Sequence, residues 1–213
     1  MKLLQRIVAG LVALAVLVLL AGWLVLRASL PDLDGEISAA GIGAPATIER
    51  DAAGIPLITA ASRADLAYAT GFAHGQDRFF QMDLIRRQAA GELSELFGPA
   101  AVDAYKRYRF HRFRARARDV YARLAARERA LMDAYAEGVN AGLASLDARP
   151  FEYFLLRVEP RPWEPLDSVL AVYNMYLQLN DARATKEVRR GLAHRTLPGD
   201  CLLYTSPSPR DSC

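Results

Sequence analysis

Residues 71–98, GFAHGQDRFFQMDLIRRQAAGELSELFG, constrain the fold of this chain more than any other stretch. Their Leu, Ile, Phe and Met residues recur at helical spacing, and the pattern predicts a helix that continues to about Phe97. Ala67, Gly71 and Gly75 stand four apart on one face, where small residues let another backbone approach closely. We therefore expect this helix to pack tightly against a neighbouring element.

The segments on the N-terminal side of this helix predict a β-hairpin and a helix start. Two short apolar runs within residues 47–60 flank a turn with Asp51 and Gly54, and Pro56 is confined to the start or edge of its strand. Ser62 has the chemistry of a helix N-cap, and a carboxylate follows three residues later. The hairpin is the only β-structure that the sequence predicts.

Two more helices and an apolar loop are predicted on the C-terminal side. Residues 119–146 predict a second long helix, which Gly138 and Gly142 weaken near its end. Residues 151–156 predict an apolar loop that must be covered. A third helix begins near Pro165, and its apolar middle, residues 169–179, predicts burial on most sides. The fold class is therefore mostly α with a short β-hairpin.

The N-terminus predicts a transmembrane signal anchor. Residues 7–26 carry no charge, and a helix of this length is about long enough to span a bilayer. Lys2 and Arg6 precede the run, and after Arg27 the next basic residue is Arg50, so the positive-inside rule places the N-terminus in the cytoplasm. We expect a single-pass anchor in the inner membrane, with the bulk facing the periplasm or the extracellular side. A cleaved signal peptide is the alternative, although its apolar region is usually shorter.

The positive charge of the chain is concentrated in one segment. The formal net charge is +3, yet residues 106–129 hold ten Lys or Arg and two Asp or Glu. Aromatic residues alternate with these arginines, a pattern that nucleic-acid-binding segments also show. A protein sent across a membrane rarely meets nucleic acid, so a solvated face with ion pairs to an acidic partner is favoured.

The last thirteen residues differ from the rest of the chain. They contain both cysteines, Cys201 and Cys213, and a Ser/Pro run. We expect residues 1–27 to form the cytoplasmic stub and anchor, residues 28–200 an incomplete domain, and residues 201–213 a non-native tail. The earlier residues lack cysteine, so neither a disulfide framework nor a cysteine metal site is predicted.

The residues alone predict no catalytic centre. The sequence has no G-x-S-x-G elbow, and its three histidines lack paired metal-ligand spacing. His74 could pair with Asp77 on one helix face, but a lone His on a packed helix is more often a structural residue. Gln76, Asp77 and Arg78 are expected to be buried polar links. Glu187 has the oxygen chemistry of a Ca²⁺ ligand, but one carboxylate is too few for a site.

Several short motifs follow one another over about residues 30–195. They are Ile48-Glu49-Arg50-Asp51, Gly54-Ile55-Pro56, Gly71-Phe72-x-His74-x-Gln76-Asp77-Arg78, Arg86-Arg87-x-Ala89-x-Gly91-x-Leu93-Ser94-Glu95-Leu96-Phe97-Gly98, Ala134-Tyr135-x-x-Gly138-Val139-Asn140-Ala141, Trp163-x-Pro165-x-Asp167-Ser168 and Glu187-x-x-Arg190. In this order the motifs resemble the α-chain part of the penicillin acylase family, which includes acyl-homoserine lactone acylases.

The resemblance implies an N-terminal nucleophile hydrolase of αββα architecture that cleaves linear amides, releasing the acyl side chain of a penicillin, a homoserine lactone or a similar amine. In that family a precursor is cut into α and β chains, and the N-terminal serine of β attacks the amide with its own α-amino group as base. The β chain is then the partner of this chain, and no catalytic residue is expected here. Without β, the fragment is expected to be inactive.

The resemblance also implies site residues. Glu187 matches the glutamate by which the α chain contributes to a structural Ca²⁺ site shared with β, and no organic cofactor is implied. Leu177, Asn180 and Asp181 fall near the positions that line the acyl pocket. The alternative interpretation is a membrane-tethered, non-enzymatic helical module that binds a partner through residues 106–129.

Overall fold

The computed structural model describes residues 2–180 and 184–196. It is mostly helical with one two-stranded sheet, as the sequence predicts, and it divides into two compact units, Met1–Asn174 and Met175–Cys213. The elements in chain order are α1 (Lys2–Ala28), β1 (Ala46–Arg50), β2 (Pro56–Ala60), α2 (Arg63–Ala90), α3 (Ser94–Phe97), a 3₁₀ turn (Gly98–Ala101), α4 (Val102–Arg109), α5 (Phe113–Arg123), α6 (Ala126–Ala144), α7 (Phe151–Leu156), α8 (Pro165–Leu179) and α9 (Thr185–Thr196).

The predicted hairpin is present and is tied to α2. Its strands pair antiparallel, with Arg50 opposite Pro56 at the turn end. Asp51 Oδ1 closes the turn by accepting from two backbone amides, at 2.9 and 2.8 Å. Arg50 then reaches α2, where its two terminal nitrogens donate to the Asp77 carboxylate at 2.8 and 3.0 Å.

The start of α2 is capped as the sequence predicts. The Ser62 hydroxyl accepts from the Asp65 amide at 3.1 Å, which satisfies a free N–H of the first turn. The Asp65 carboxylate accepts from the Ser62 hydroxyl and from the Gly43 amide, both at 2.7 Å. These hydrogen bonds, that of Ser62 first, lower the pKa of Asp65 and tie the linker after α1 to α2.

The predicted end of α2 near Phe97 is wrong. The helix ends at Ala90, because Gly91 takes the left-handed conformation (φ 68°) and the Glu92 amide donates back to the Arg87 carbonyl at 2.7 Å. A Cβ on Gly91 would also lie 2.7 Å from the Arg109 amide nitrogen. A close approach of α4 therefore requires glycine where the helix stops.

The helix α2 is also kinked in its middle. Arg78 has φ −143° and ψ 21°, outside the helical region, so α2 consists of two helical halves. The first half carries the small-residue face, and the second half carries a group of charged side chains. The two halves pack against different parts of the chain.

The first half of α2 crosses α6 with the backbones in contact, as the glycine spacing predicts. A Cβ on Gly71 would lie 2.2 Å from the Tyr135 carbonyl oxygen, and one on Gly75 would lie 2.2 Å from that of Val139. Such distances are far inside van der Waals contact. Glycine at both positions is therefore what lets the helices approach.

The partner surface on α6 is also built on glycines. A Cβ on Gly138 would lie 2.0 Å from the Tyr68 carbonyl oxygen, and one on Gly142 would lie 2.1 Å from that of Phe72. The interpretation that these glycines only weaken a helix is incomplete, because both are buried at the crossing. Contacts at 68 with 138 and at 72 with 142 show that α2 and α6 run parallel.

Two other predicted elements differ from the structure. The predicted helix of residues 119–146 is broken, since Leu124 and Ala125 are extended and separate α5 from α6. Residues 151–156 form the short helix α7 rather than a loop. Tyr153 on α7 is fully buried and packs against Phe79 and Phe80 of α2, which covers part of the apolar segment.

The N-terminal helix α1 has the dimensions of a membrane span. Residues Leu4–Ala28 have a mean hydropathy of 2.8, and none of this segment is buried against the protein. In the described part of the chain it is the one helix that meets these criteria, which signal sequences near an N-terminus also meet. Its end is attached to the domain by the Ala148 amide, which donates to the Ala28 carbonyl at 3.0 Å.

Candidate functional site

A buried ionic cluster occupies the second half of α2. Asp83 and Arg86 are both 0% exposed and lie one helical turn apart. Asp83 Oδ1 accepts from Nε of Arg86 at 2.7 Å and from Nε of Arg87 at 2.8 Å, while its Oδ2 accepts from the Tyr153 hydroxyl at 2.8 Å. The i, i+3 and i, i+4 spacing of these residues on α2 makes the two ion pairs possible.

Arg86 connects α2 to the start of α8. Its guanidinium donates to the Asp167 carboxylate at 2.6 Å and to two backbone carbonyls, Pro162 at 2.7 Å and Arg161 at 2.5 Å. The same guanidinium lies over the Trp163 ring, 5.1 Å from its centroid. A planar five-donor group suits this role, because a lysine ammonium could not reach the same acceptors together.

A third buried carboxylate of the cluster, Glu92, extends it to α5. It accepts from Arg114 through both oxygens, at 2.6 and 2.8 Å, and from Arg161 at 3.0 Å. Burial by itself would raise the pKa of Glu92, but the hydrogen bonds and charges of the two arginines outweigh it and lower that pKa. Arg114 also contacts Asp167 at 3.3 Å, so both carboxylates share its charge.

The charges of the cluster balance once Glu95 is included, because its carboxylate accepts from Arg87 at 2.6 Å. The carboxylates of the cluster all accept from arginine side chains, and none of its polar atoms is among the buried unpartnered atoms of the described chain. The cluster therefore fixes α2, α5 and the start of α8 in place.

His74 does not pair with Asp77 as one interpretation of the sequence suggested. Its Nδ1 lies 2.8 Å from the Tyr135 hydroxyl on α6. Packing around the imidazole lowers the pKa of His74, more than the nearby Asp77 carboxylate raises it, and burial raises the pKa of Tyr135 to about 12. Both groups are therefore neutral at neutral pH and form a structural link beside the crossing.

The expected polar links next to His74 are only partly buried. Gln76 is buried, and its amide donates to the Ser145 hydroxyl at 3.1 Å. Asp77 and Arg78 are exposed, which corrects their expected burial, because the kink turns this part of α2 toward solvent and the hairpin. In the described chain these residues form no nucleophile–base pair.

The residues implied for the metal and the acyl pocket lie in the second unit. Leu177 is half-buried near the end of α8, and Asn180 is exposed, with its amide donating to the Tyr176 carbonyl at 2.7 Å. Asp181 lies outside the described residues. Glu187 is exposed on α9, and no three His, Cys, Asp or Glu residues of the described chain come together as metal ligands. One carboxylate cannot hold Ca²⁺, so a site here would need ligands from elsewhere.

The last turn of α8 is exposed where the sequence predicts burial. Met175, Tyr176 and Leu179 are 53%, 58% and 77% exposed. In the first unit, Val172 is also exposed, whereas Asn174 is only 3% exposed and its Oδ1 has no hydrogen-bond partner. Exposed apolar side chains and a buried unpartnered acceptor are both unfavourable in an isolated chain.

An open apolar groove lies beside the ionic cluster, within the first unit. Its volume is about 340 Å³, and α2, α6 and the first turns of α8 supply its walls. Most of its lining is apolar: Met82, Ile85, Leu131, Met132, Tyr135, Trp163, Ser168 and Ala171. Ser168 supplies a hydroxyl, but it already pairs with the Trp163 indole N–H at 3.3 Å.

Comparisons with known proteins agree with this architecture. The sequence profile of the penicillin amidase family matches residues 45–207. The chain is 42% identical over 152 residues to penicillin acylase 2 proenzyme of Pseudomonas sp. (strain SE83), and 34% identical over 186 residues to the acyl-homoserine lactone acylase QuiP of Pseudomonas aeruginosa. These alignments cover 71% and 86% of this chain but 20% and 22% of the relatives, so the chain spans about one fifth of their length.

A solved structure gives the same result. A thermostable penicillin G acylase from Alcaligenes faecalis matches with a TM-score of 0.59 and 25% identity, covering 77% of this chain and 95% of the matched chain. A helical scaffold with one hairpin and no catalytic pair in its described part thus corresponds to one region of a hydrolase family. The chain belongs to the penicillin amidase family.

Sequence reasoning missed most of the ionic cluster. The spacing of Asp83, Arg86 and Arg87 on one helix was the available signal, and Asp167 also stood within a family motif. The connection could not be made because Asp167 follows Arg86 by 81 residues. Nothing local to Glu92 or Arg114 indicates that they pair.

Proposed function

We propose that this chain is the α-chain part of an acylase that hydrolyses linear amides, with the catalytic nucleophile supplied by a β chain. The observation that carries the proposal is the contrast in coverage: the chain spans one fifth of the proenzyme relative but corresponds to 95% of a chain in the solved acylase. The substrate class is an acylated amine such as a penicillin or a homoserine lactone.

The chemistry of the described residues supports a scaffold role. The carboxylates of the ionic cluster are all paired with arginines, and partial burial lowers the pKa of His74, whose imidazole faces a tyrosine. The nucleophile is then the N-terminal serine of β, with its α-amino group as base. Without that chain, this one is inactive.

The β chain covers two of the apolar surfaces that this chain leaves open, namely the last turn of α8 and the groove beside Trp163. A donor from β would also satisfy the buried Oδ1 of Asn174. Burying such surface is the usual driving force of permanent association.

Glu187 is proposed as this chain's ligand for a structural Ca²⁺ ion completed by β. Its exposure on α9 leaves the carboxylate accessible to a partner's ligands. Replacing Glu187 by Gln should weaken Ca²⁺ binding to the αβ complex at least about tenfold in titration calorimetry. Equal Ca²⁺ affinity of the unchanged complex and the Glu187→Gln complex would show that Glu187 is not a ligand.

Leu177, Asn180 and Asp181 are proposed to lie at the acyl pocket. Asn180 is exposed and uses only its amide nitrogen within α8, so its side-chain oxygen is available to a ligand. A polar group there does not suit a purely apolar pocket, which leaves the length of the acyl chain open. Asn180→Leu should change the preference among acyl chains in the αβ complex, measured as kcat/KM ratios.

The helix α1 is proposed to anchor the chain in the inner membrane, with residues after it on the periplasmic side. Its apolar length and the basic residues before it support this orientation. Protease added outside spheroplasts should digest the domain and leave α1 protected. Full protection of the domain would contradict the orientation.

The activity proposal is tested with the full chain. It is purified in detergent and assayed with penicillin G and with an acyl-homoserine lactone, alone and after coexpression with the β chain of the penicillin acylase 2 relative. We expect no turnover by either chain alone and turnover by the complex. Hydrolysis by this chain alone would contradict the proposal.

A further inference from the structure

The turn between α4 and α5 presents an exposed aromatic side chain on a basic surface. Phe110 is 85% exposed, more than any other large apolar side chain in the described part of the chain. Lys106, Arg107, Arg109 and Arg112 surround it in sequence, and all four are exposed. These five residues are called the basic tip below.

The tip is held in place rather than loosely attached. The Arg109 backbone sits against Gly91, where a Cβ would come within 2.7 Å of its nitrogen. The neighbouring Tyr108 hydroxyl accepts from Gln88 of α2 at 2.8 Å. On the other side Phe113 is buried and stacks on Tyr173 with ring centroids 4.6 Å apart. The exposure of Phe110 is therefore built into the fold.

The basic residues of the tip are not neutralised within the described chain. None of the four makes an ion pair there, whereas Arg114, a few residues further on, is neutralised by Glu92 and Asp167. Arg109 instead lies over the Tyr105 ring at 5.4 Å. A further exposed arginine, Arg116, donates to the His111 carbonyl at 3.0 Å and so adds positive charge beside the tip.

We propose that the basic tip is a second membrane contact, which docks on anionic phospholipid headgroups. Basic side chains bind such headgroups, while an aromatic ring gains by entering the boundary between headgroups and acyl chains. An acidic protein surface would also match these charges, and polyglutamate represents it in the test below; the bilayer is favoured because the proposed anchor α1 keeps the chain at a membrane. The inference rests on the proposed anchoring by α1, which keeps the tip at high effective concentration near the bilayer.

The test uses the full chain reconstituted into vesicles. In a Trp23→Phe background, Phe110→Trp reports on the tip, because the remaining Trp163 is buried. We expect the emission of the introduced tryptophan to shift to the blue and to be quenched by brominated lipid in phosphatidylglycerol-containing vesicles, but not in pure phosphatidylcholine. Trp23 of the otherwise unchanged chain reports separately whether α1 is inserted.

Charge variants complete the experiment. Replacing Arg107, Arg109 and Arg112 together by Gln should lower the docking equilibrium roughly 100-fold, since each contributes about fivefold near an anionic surface. The control replaces Arg63 and Arg127, exposed arginines outside the tip, by Gln and should leave docking unchanged.

Three results would overturn the inference. The first is equal emission of the Phe110→Trp variant on both lipids while Trp23 of the unchanged chain is quenched. The second is a shift produced by polyglutamate but not by phosphatidylglycerol, and the third is docking retained in the triple variant with unchanged circular dichroism. If Trp23 itself is not quenched, the anchoring fails and the inference falls with it, whereas the acylase proposal still stands on its own assay.

Discussion

The crossing of α2 with α6 and the last turn of α8 differ in how completely this chain buries them. At the crossing, glycines on both helices remove every obstacle to backbone contact, and the helices bury each other. In the last turn of α8, Met175, Tyr176 and Leu179 remain exposed. The first region is closed by packing within the chain, and the second leaves large apolar side chains at the surface.

The ionic cluster belongs to the closed region. Burying charges is unfavourable unless each is paired and hydrogen-bonded, and here the pairing is made within the chain. The first unit therefore contains the contacts that fix its own structure, while the end of α8 leaves its apolar side chains exposed. The substitutions below test either the packing of the first unit or the exposure of the end of α8.

The largest effect is expected at Asp83. Its replacement by Ala leaves the buried guanidinium of Arg86 and the Tyr153 hydroxyl without their shared acceptor. Removing one partner of a buried ion pair costs about 3–5 kcal/mol of unfolding free energy. Urea unfolding followed by circular dichroism measures this.

The matched control for Asp83 is Asp77→Ala. It removes an ion pair to Arg50 that is partly exposed, and such pairs are worth about 0–1 kcal/mol. If the two substitutions lower the unfolding free energy equally, the ionic cluster does not hold the first unit together.

The next largest effect is expected at Gly138. Its replacement by Ala puts a Cβ 2.0 Å from the Tyr68 carbonyl oxygen, so the helices must separate. Overpacking of this kind costs about 1–3 kcal/mol, and the better helix propensity of Ala offsets about 1 kcal/mol of that. Thermal unfolding of the variant should occur at lower temperature.

Gly191→Ala is the control with the same chemistry. A Cβ there would meet nothing within 4 Å, so it should be neutral or slightly stabilising for α9. If the Gly138→Ala variant unfolds at the same temperature as Gly191→Ala, the crossing tolerates a side chain, which would contradict the backbone contact described.

The two regions were not equally predictable from sequence. Four-residue spacing revealed the glycine face of α2, because one helix contains the whole signal. The complementary Gly138 and Gly142 are predicted from sequence only to weaken their helix, since no local pattern shows which two helices pack together. Glu92 and Arg114 are 22 residues apart, so no local pattern predicts their ion pair. The break at Leu124 follows an ordinary helical pattern, so it is visible only in the structure.

Among the implied site residues, the metal and pocket assignments stay predictions. Glu187, Leu177 and Asn180 have defined positions, but a ligand set needs several groups that converge. Those groups, by the proposal above, belong to another chain. No pattern within this sequence could supply them.

A smaller effect is expected on the acid side of the pH profile. The pKa of His74 is lowered in the fold, so below its ordinary value of 6.5 the unfolded chain binds the proton first and stability falls. The pKa of Glu92 is lowered from 4.5, so its contribution is present above that value and is lost as pH falls through the folded pKa. Unfolding free energy should therefore decline in two stages.

His74→Asn separates the two stages. It should remove the decline that begins near pH 6.5 and leave the one below 4.5. A decline near pH 6.5 that persists in the variant would assign it to another group.

The smallest effect on the chain alone is expected at Leu179. The side chain is 77% exposed, so Leu179→Ser should change the unfolding free energy by less than about 0.5 kcal/mol. The same substitution should weaken association with the β chain, which copurification measures. A large loss of stability in the isolated chain would show that the α8 end is already packed.

Hydrogen–deuterium exchange of the full chain tests the contrast most directly. Amides of α2 and α6 at the crossing should exchange at least about tenfold more slowly than those of residues 175–179, because only the former are closed by tertiary packing. Equal protection of the two regions, or faster exchange in α2, would contradict the view that one region is complete and the other awaits a partner.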